Sequence, residues 1–206
     1  DFLKELSEGT LADDVFARYI AQDEIYLKNY YHQMNMLAEL MESSEDKELF
    51  LAFAKSGMEG EKAMHDMLID LYGIETKVEP SKVTSDYNAH ICEGIATGNP
   101  CIALAAVLPC MWIYNQVGLY ILNHSKLEGN PYKEWILEYG QEEFTAGVDQ
   151  VLKMIDGWAA KADEKTKEKM DYYYLKAALY EYAFWDYGYH ADARSYEYTD
   201  SLEEWL

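Results

Sequence analysis

Cysteine is scarce. Cys92, Cys101 and Cys110 are the three present, each nine residues from the next. An odd, evenly spaced set is neither a disulfide framework nor a C-x-x-C metal knuckle, so free thiols in a reducing cytoplasm are expected. Four prolines and twelve glycines are too few for a many-turned β sandwich. Basic residues are also short: 17 Lys and Arg stand against 38 Asp and Glu, a net charge of −21. That balance argues against a nucleic-acid backbone or an anionic membrane as partner, because both attract basic patches. The most apolar stretch, residues 101–114, is too short to span a bilayer and runs on into Asn115, Gln116 and Gly118. It reads as a buried core helix. No segment resembles a secretory leader. The sequence has no glycine-rich phosphate loop, no G-x-S-x-G elbow and no H-E-x-x-H.

Apolar and aromatic residues are plentiful. Half of the 206 residues are apolar and 15% are aromatic, with 19 tyrosines. This excludes a disordered chain and provides enough for one sizeable core. The dominant period is helical. Val15, Tyr19, Tyr26, Tyr30, Met34, Leu37 and Met41 recur at three- and four-residue steps over 13–41, with Thr10 or Asp13 as the expected cap. Further helices are expected over 46–72, 85–96, 101–122, 132–162 and 166–189. Gly73 and Gly98-Asn99-Pro100 act as stops. No charged residue occurs between Glu93 and Lys126, and Pro109 predicts a kink there rather than two helices. The tail from Arg194 to Leu206 reads as a short packed helix or an oligomer contact. Together these features predict one all-α domain over 1–206, a bundle of about seven helices.

Function should show where polar groups fall on apolar faces. Asp23 lies four residues after Tyr19, three before Tyr26 and seven before Tyr30, on one helix face with all three. Glu181 sits four after Ala177, three before Phe184 and four before Trp185. A carboxylate in either place must find hydrogen bonds or shift its pKa. Cys110 follows Pro109 directly, where an opened turn can present a thiol. Tyr87 and Tyr139 complete a plausible aromatic lining. Each also has an ordinary structural reading, as a satisfied core group or the edge of a packed stripe. Two carboxylate–histidine pairs, Glu61/His65 and Asp186/His190, are each four apart. The ferritin-like di-metal pattern instead uses Glu-x-x-His, so ordinary ion pairs are expected and no metal.

Four segments then resemble one family in order and spacing. Ala21-Gln22-Asp23-Glu24-Ile25-Tyr26-Leu27 is similar to the Q-D-x-x-Y-L segment of the TenA family, the thiaminase II proteins. Leu108-Pro109-Cys110-Met111-Trp112-Ile113-Tyr114 resembles its L-P-C-x-x-x-Y. Tyr132, Trp135, Ile136, Tyr139 and Phe144 resemble its Y-x-x-W-I-x-x-Y-x-x-x-x-F. Glu181, Phe184 and Trp185 resemble its E-x-x-F-W. The resemblance implies a heme-oxygenase-like helical bundle without heme or other cofactor. It also implies an aminopyrimidine aminohydrolase that salvages the pyrimidine half of degraded thiamin and cleaves thiamin as well. It implies Cys110 as nucleophile, Glu181 as acid/base and Asp23 as the group that holds the amino-pyrimidine ring. Tyr26, Tyr87, Tyr114 and Tyr139 would line the pocket. A homotetramer is a further expectation from the family.

The chemistry of those residue types suits this reading. A thiolate can add to an electron-poor ring while a carboxyl protonates the departing amine. Two other readings stay open at the level of sequence. One is a di-metal oxygenase using Glu61, His65, Asp186 and His190. The other is a non-catalytic pyrimidine-binding or regulatory protein.

Overall fold

The computed structural model describes residues 1–191, and among them every regular element is a helix. They are α1 (Phe2–Glu8), α2 (Asp13–Ala38), α3 (Ser44–Tyr72), α4 (Lys82–Ala96), α5 (Pro100–His124), α6 (Lys133–Tyr139), α7 (Glu142–Ala159) and α8 (Glu164–His190). Residues 192–206, on which the expected tail helix falls, lie outside the described residues.

Local chemistry sets the ends. Ser43, Ser81, Asn99 and Asp163 each accept a backbone N–H in the first turn of the helix that follows, at 3.2, 3.1, 2.9 and 2.7 Å. Such caps satisfy donors that have no partner within the helix. Pro100 occupies the first turn of α5, where a missing N–H costs nothing. Gly73 ends α3 at φ 61°, a left-handed position that favours glycine. The start of α2 differs from expectation. Its cap position is Ala12, with no side-chain bond, and Asp13 lies in the first turn. There its negative charge favours the helix through the dipole instead.

The expected long helix over 132–162 is two. Gly140 and Gln141 separate α6 from α7, and Gln141 has the extended backbone of a helix start (φ −69°, ψ 143°). A single glycine inside a helical pattern gives no sure sign of such a break. Packing does: a Cβ on Gly140 would stand 2.7 Å from the Leu122 side chain.

The centre of the bundle is α5, which packs on α1, α2, α4, α6, α7 and α8. A helix covered on so many sides needs no polar face, which accounts for the uncharged stretch around it. By length and composition α5 is enough to cross a membrane; here most of it is buried inside the bundle. It runs unbroken through Pro109. Tyr30 on α2 donates its hydroxyl to the Val107 carbonyl at 3.1 Å, fastening α2 to α5 just before Cys110. One contiguous apolar core draws on all eight helices.

Two contacts place site residues directly. Gln22 accepts from the Ser81 backbone and the Thr84 hydroxyl, both at 2.7 Å, and donates to the Glu79 carbonyl. It thereby ties the start of α4, which carries Tyr87, to the residue next to Asp23. Gly118 on α5 lets the end of α6 ride against it: a Cβ there would be 2.3 Å from the Tyr139 carbonyl oxygen. Only glycine permits that approach, and it sets where Tyr139 points.

Candidate active site

All seven residues singled out from the sequence are buried: Asp23, Tyr26, Tyr87, Cys110, Tyr114, Tyr139 and Glu181. They come from α2, α4, α5, α6 and α8. Asp23, Cys110, Tyr114 and Tyr139 line one narrow cavity, together with Glu61, Tyr30, Tyr31 and apolar side chains that include Met34 and Met111. The space between its walls amounts to about 410 Å³, open solvent at the mouth included. No Lys or Arg lines it.

Tyr26, Tyr87 and Glu181 do not line this cavity. They form a connected layer beside it. The Tyr26 ring stacks on Tyr87 with centroids 4.8 Å apart, and Tyr87 donates its hydroxyl to Glu181 Oε1 at 2.6 Å. The Tyr26 hydroxyl has no hydrogen-bond partner. Tyr114 shares a 2.9 Å hydrogen bond with the buried Tyr19.

The mouth lies between α3 and the α6–α7 junction. Phe53, Gly57 and Phe144 are shared with an open groove that also carries Glu59, Glu138 and Glu143. The Phe53 and Phe144 rings are stacked there, 6.1 Å apart.

Burial governs the electrostatics. It pushes the Cys110 thiol well above its ordinary value, and nearby Glu181 and Glu61 push it further, since each disfavours a second negative charge. Glu181 is pushed up to about 8 by burial, against the Tyr87 hydrogen bond and with help from Asp23 and Glu61. Glu61 is likewise raised to about 8 by burial and by Asp23. Its Oε1 accepts from Tyr139 at 2.9 Å and its Oε2 from Tyr31. The site therefore holds a protonated thiol between two carboxyls that gain and lose protons near neutral pH.

The two carboxylate–histidine pairs do not converge. Asp186 and His190 bond to each other at 2.8 Å in a separate groove with Phe2 and Tyr189. Glu61 and His65 face other partners. Among the described residues no group of three or more His, Cys, Asp or Glu side chains is placed to hold a metal ion.

The TENA/THI-4/PQQC family model matches residues 1–191. The chain belongs to this family. Among its relatives is the "Aminopyrimidine aminohydrolase" of Bacillus subtilis, 28% identical over 208 residues, covering 98% of this chain and 87% of that protein. A "Thiamine biosynthesis multifunctional protein ThiED" of Corynebacterium efficiens is 30% identical, over 90% of this chain and 25% of the longer protein. The solved TenA homologue from Pyrococcus furiosus superimposes with a TM-score of 0.82 at 22% identity, covering 92% of this chain and 90% of that one. Such TenA homologues share the helical, heme-oxygenase-like fold.

Within this TenA chain, sequence reasoning left three site groups unassigned. Tyr31 was not singled out, and Glu61 and His65 were weighed as metal ligands and expected to form an ordinary ion pair. A signal existed. Phe50, Ala54, Glu61, His65 and Leu68 continue one stripe of α3 at helical spacing, and Phe50, Ala54, His65 and Leu68 on it are buried. The test that flagged Asp23 and Glu181, a polar group on an apolar stripe, applies there equally.

Proposed function

We propose that the protein is an aminopyrimidine aminohydrolase of the thiaminase II type, acting on 4-amino-5-aminomethyl-2-methylpyrimidine and on thiamin. The observation that carries this reading is the meeting of Cys110, Asp23 and stacked tyrosines in and around one buried cavity, with the Glu181 carboxyl near enough to raise the thiol's pKa. Aromatic walls suit a flat heterocycle, and Asp23 suits an amino group or a protonated ring nitrogen.

The proton inventory fits hydrolysis. The thiol is protonated, so Glu181 must take its proton as sulfur adds to a ring carbon. The C–N bond then breaks, and Glu181 returns that proton to the departing amine. Water adds at the methylene and gives its proton to Glu181; the C–S bond breaks to restore the aromatic ring, and Glu181 passes that proton to the released sulfur. A carboxyl held near 8 is matched to both directions of transfer. Tyr87 fixes its orientation. The same reading includes a homotetramer in the cytoplasm, and light scattering tests the assembly.

The deciding experiment is turnover of the aminomethylpyrimidine. Cys110→Ser should lose about a thousandfold or more in kcat. Glu181→Gln should lower kcat more than it raises KM. A fully active Cys110→Ser variant would remove the nucleophile. Wild type that binds the pyrimidine without turning it over would be a binding protein instead.

A further inference from the structure

Behind Asp23 lies a second buried group that the proposed reaction does not use. His65, on α3, has a side chain only 1% exposed. Its Nε2 stands 3.3 Å from Asp23 Oδ2, whose side chain is 3% exposed. Neither atom has another hydrogen-bond partner. Its Nδ1 meets Glu24 Oε2 at 2.8 Å, and Glu24 is 41% exposed. Asp23 faces the reactive cavity. Glu24 and His65 also line a separate groove with Lys28, Tyr31 and Lys62. The imidazole thus joins a carboxylate on the inner wall to one on the outer surface.

We propose that His65 is a positioning residue: it bridges Asp23 and Glu24 and holds Asp23 Oδ2, so that Oδ1 is left for the ligand. The role of Asp23 toward an aminopyrimidine rests on the function proposed above; the bridge itself rests on the geometry. Asp23 shares its surroundings with Glu61 and Glu181, and the cavity has no Lys or Arg. A buried carboxylate needs a cationic partner close by. His65 is the one placed against Asp23, at 3.3 Å. Burial alone would lower its pKa, but the contacts with Asp23 and Glu24 hold it up to about 10. The charged groups around it are Asp23 and Glu24 on α2 and Glu61 on its own helix, with Lys28 and Lys62 across the outer groove. The short Glu24 contact fixes the ring and makes the bridge directional. With the Asp23 contact it engages both imidazole nitrogens.

Two measurements test this. The first needs no ligand: imidazole resonances followed against pH in wild type and Asp23→Asn. His65 should stay protonated well above the ordinary histidine range in wild type, and its midpoint should fall by about a unit or more in the variant. An unchanged midpoint would overturn the bridge. The second is calorimetric binding of 4-amino-5-hydroxymethyl-2-methylpyrimidine, the expected product, to wild type and His65→Gln at neutral pH. The variant should bind roughly tenfold more weakly, because Asp23 loses the partner that fixes its orientation. Equal affinity would sink the positioning role. In the Asp23→Asn background, His65→Gln should change affinity by less than about twofold; a full additional loss also counts against it. Should wild type bind no aminopyrimidine, the functional reading fails, and the resonance titration alone decides the bridge.

Discussion

Glu61/His65 and Asp186/His190 share one sequence pattern, a carboxylate four residues before a histidine on a long helix. The bundle treats them in opposite ways. Asp186 and His190 pair with each other, and the His190 side chain is 34% exposed. Glu61 and His65 bond to other partners instead of each other. Glu61 turns to the hydroxyls of Tyr139 and Tyr31, and His65 turns to two carboxylates of α2. The difference comes from the neighbours. α3 lays its stripe against α2 and α6, whereas the end of α8 reaches the surface beside α1. Intrahelical spacing offers a pairing, and burial against another helix decides whether it is taken.

The strongest way to sharpen this contrast is to neutralise each histidine. His65→Gln leaves the buried Asp23 uncompensated and should cost about 3 kcal/mol in denaturant unfolding at neutral pH. His190→Gln should cost about 1 kcal/mol or less, because the histidine reaches solvent although Asp186 is only 13% exposed. Equal effects would erase the distinction.

Next in size is a change that touches neither histidine. Gly118→Ala places a methyl against the Tyr139 carbonyl. It should destabilise by about 1–3 kcal/mol, measured as a lowered unfolding midpoint, and should weaken the Tyr139–Glu61 contact. Activity lost beyond the stability change would show that the inner pair depends on this crossing.

The inner pair should also show in the pH dependence. Glu61 and Glu181 are raised to about 8 in the folded chain, against about 4.3 for an ordinary glutamate. A raised carboxyl binds its proton more tightly when folded. Its contribution is full below the unfolded value and disappears as pH rises through 8. Stability should therefore decline from about pH 5 to pH 9, and Glu61→Gln should flatten the slope. An unchanged slope in that variant would mean Glu61 is not the group titrating. The smallest change is Asp186→Asn, expected to shift the melting temperature by no more than about 2 °C.

The same contrast explains what could be read from the chain. Asp23 and Glu181 were visible because tyrosine and phenylalanine flank them at helical spacing. Their burial follows from that periodicity alone. Glu61 and His65 satisfy the same test, but their four-residue spacing pointed to an ordinary pairing with each other. Which partner a buried carboxyl takes was not legible, because Tyr139 and Tyr31 reach Glu61 from helices remote in sequence. The division at Gly140 was hidden for a related reason: the Leu122 side chain that fills the space of a Cβ belongs to α5. The bundle class itself was plain, since long apolar periods with few breakers admit little else.

The central position of α5 has a consequence for how the chain is made. Its longest neighbour contact is with α8, which is synthesised last of the described helices. Until α8 emerges, a 25-residue apolar helix stands partly uncovered. Such a nascent intermediate is sticky, and chaperone capture or aggregation competes with docking. A chain cut before Glu164 would keep that surface open permanently, so protein quality control would meet it as a misfolded product with most of its sequence intact.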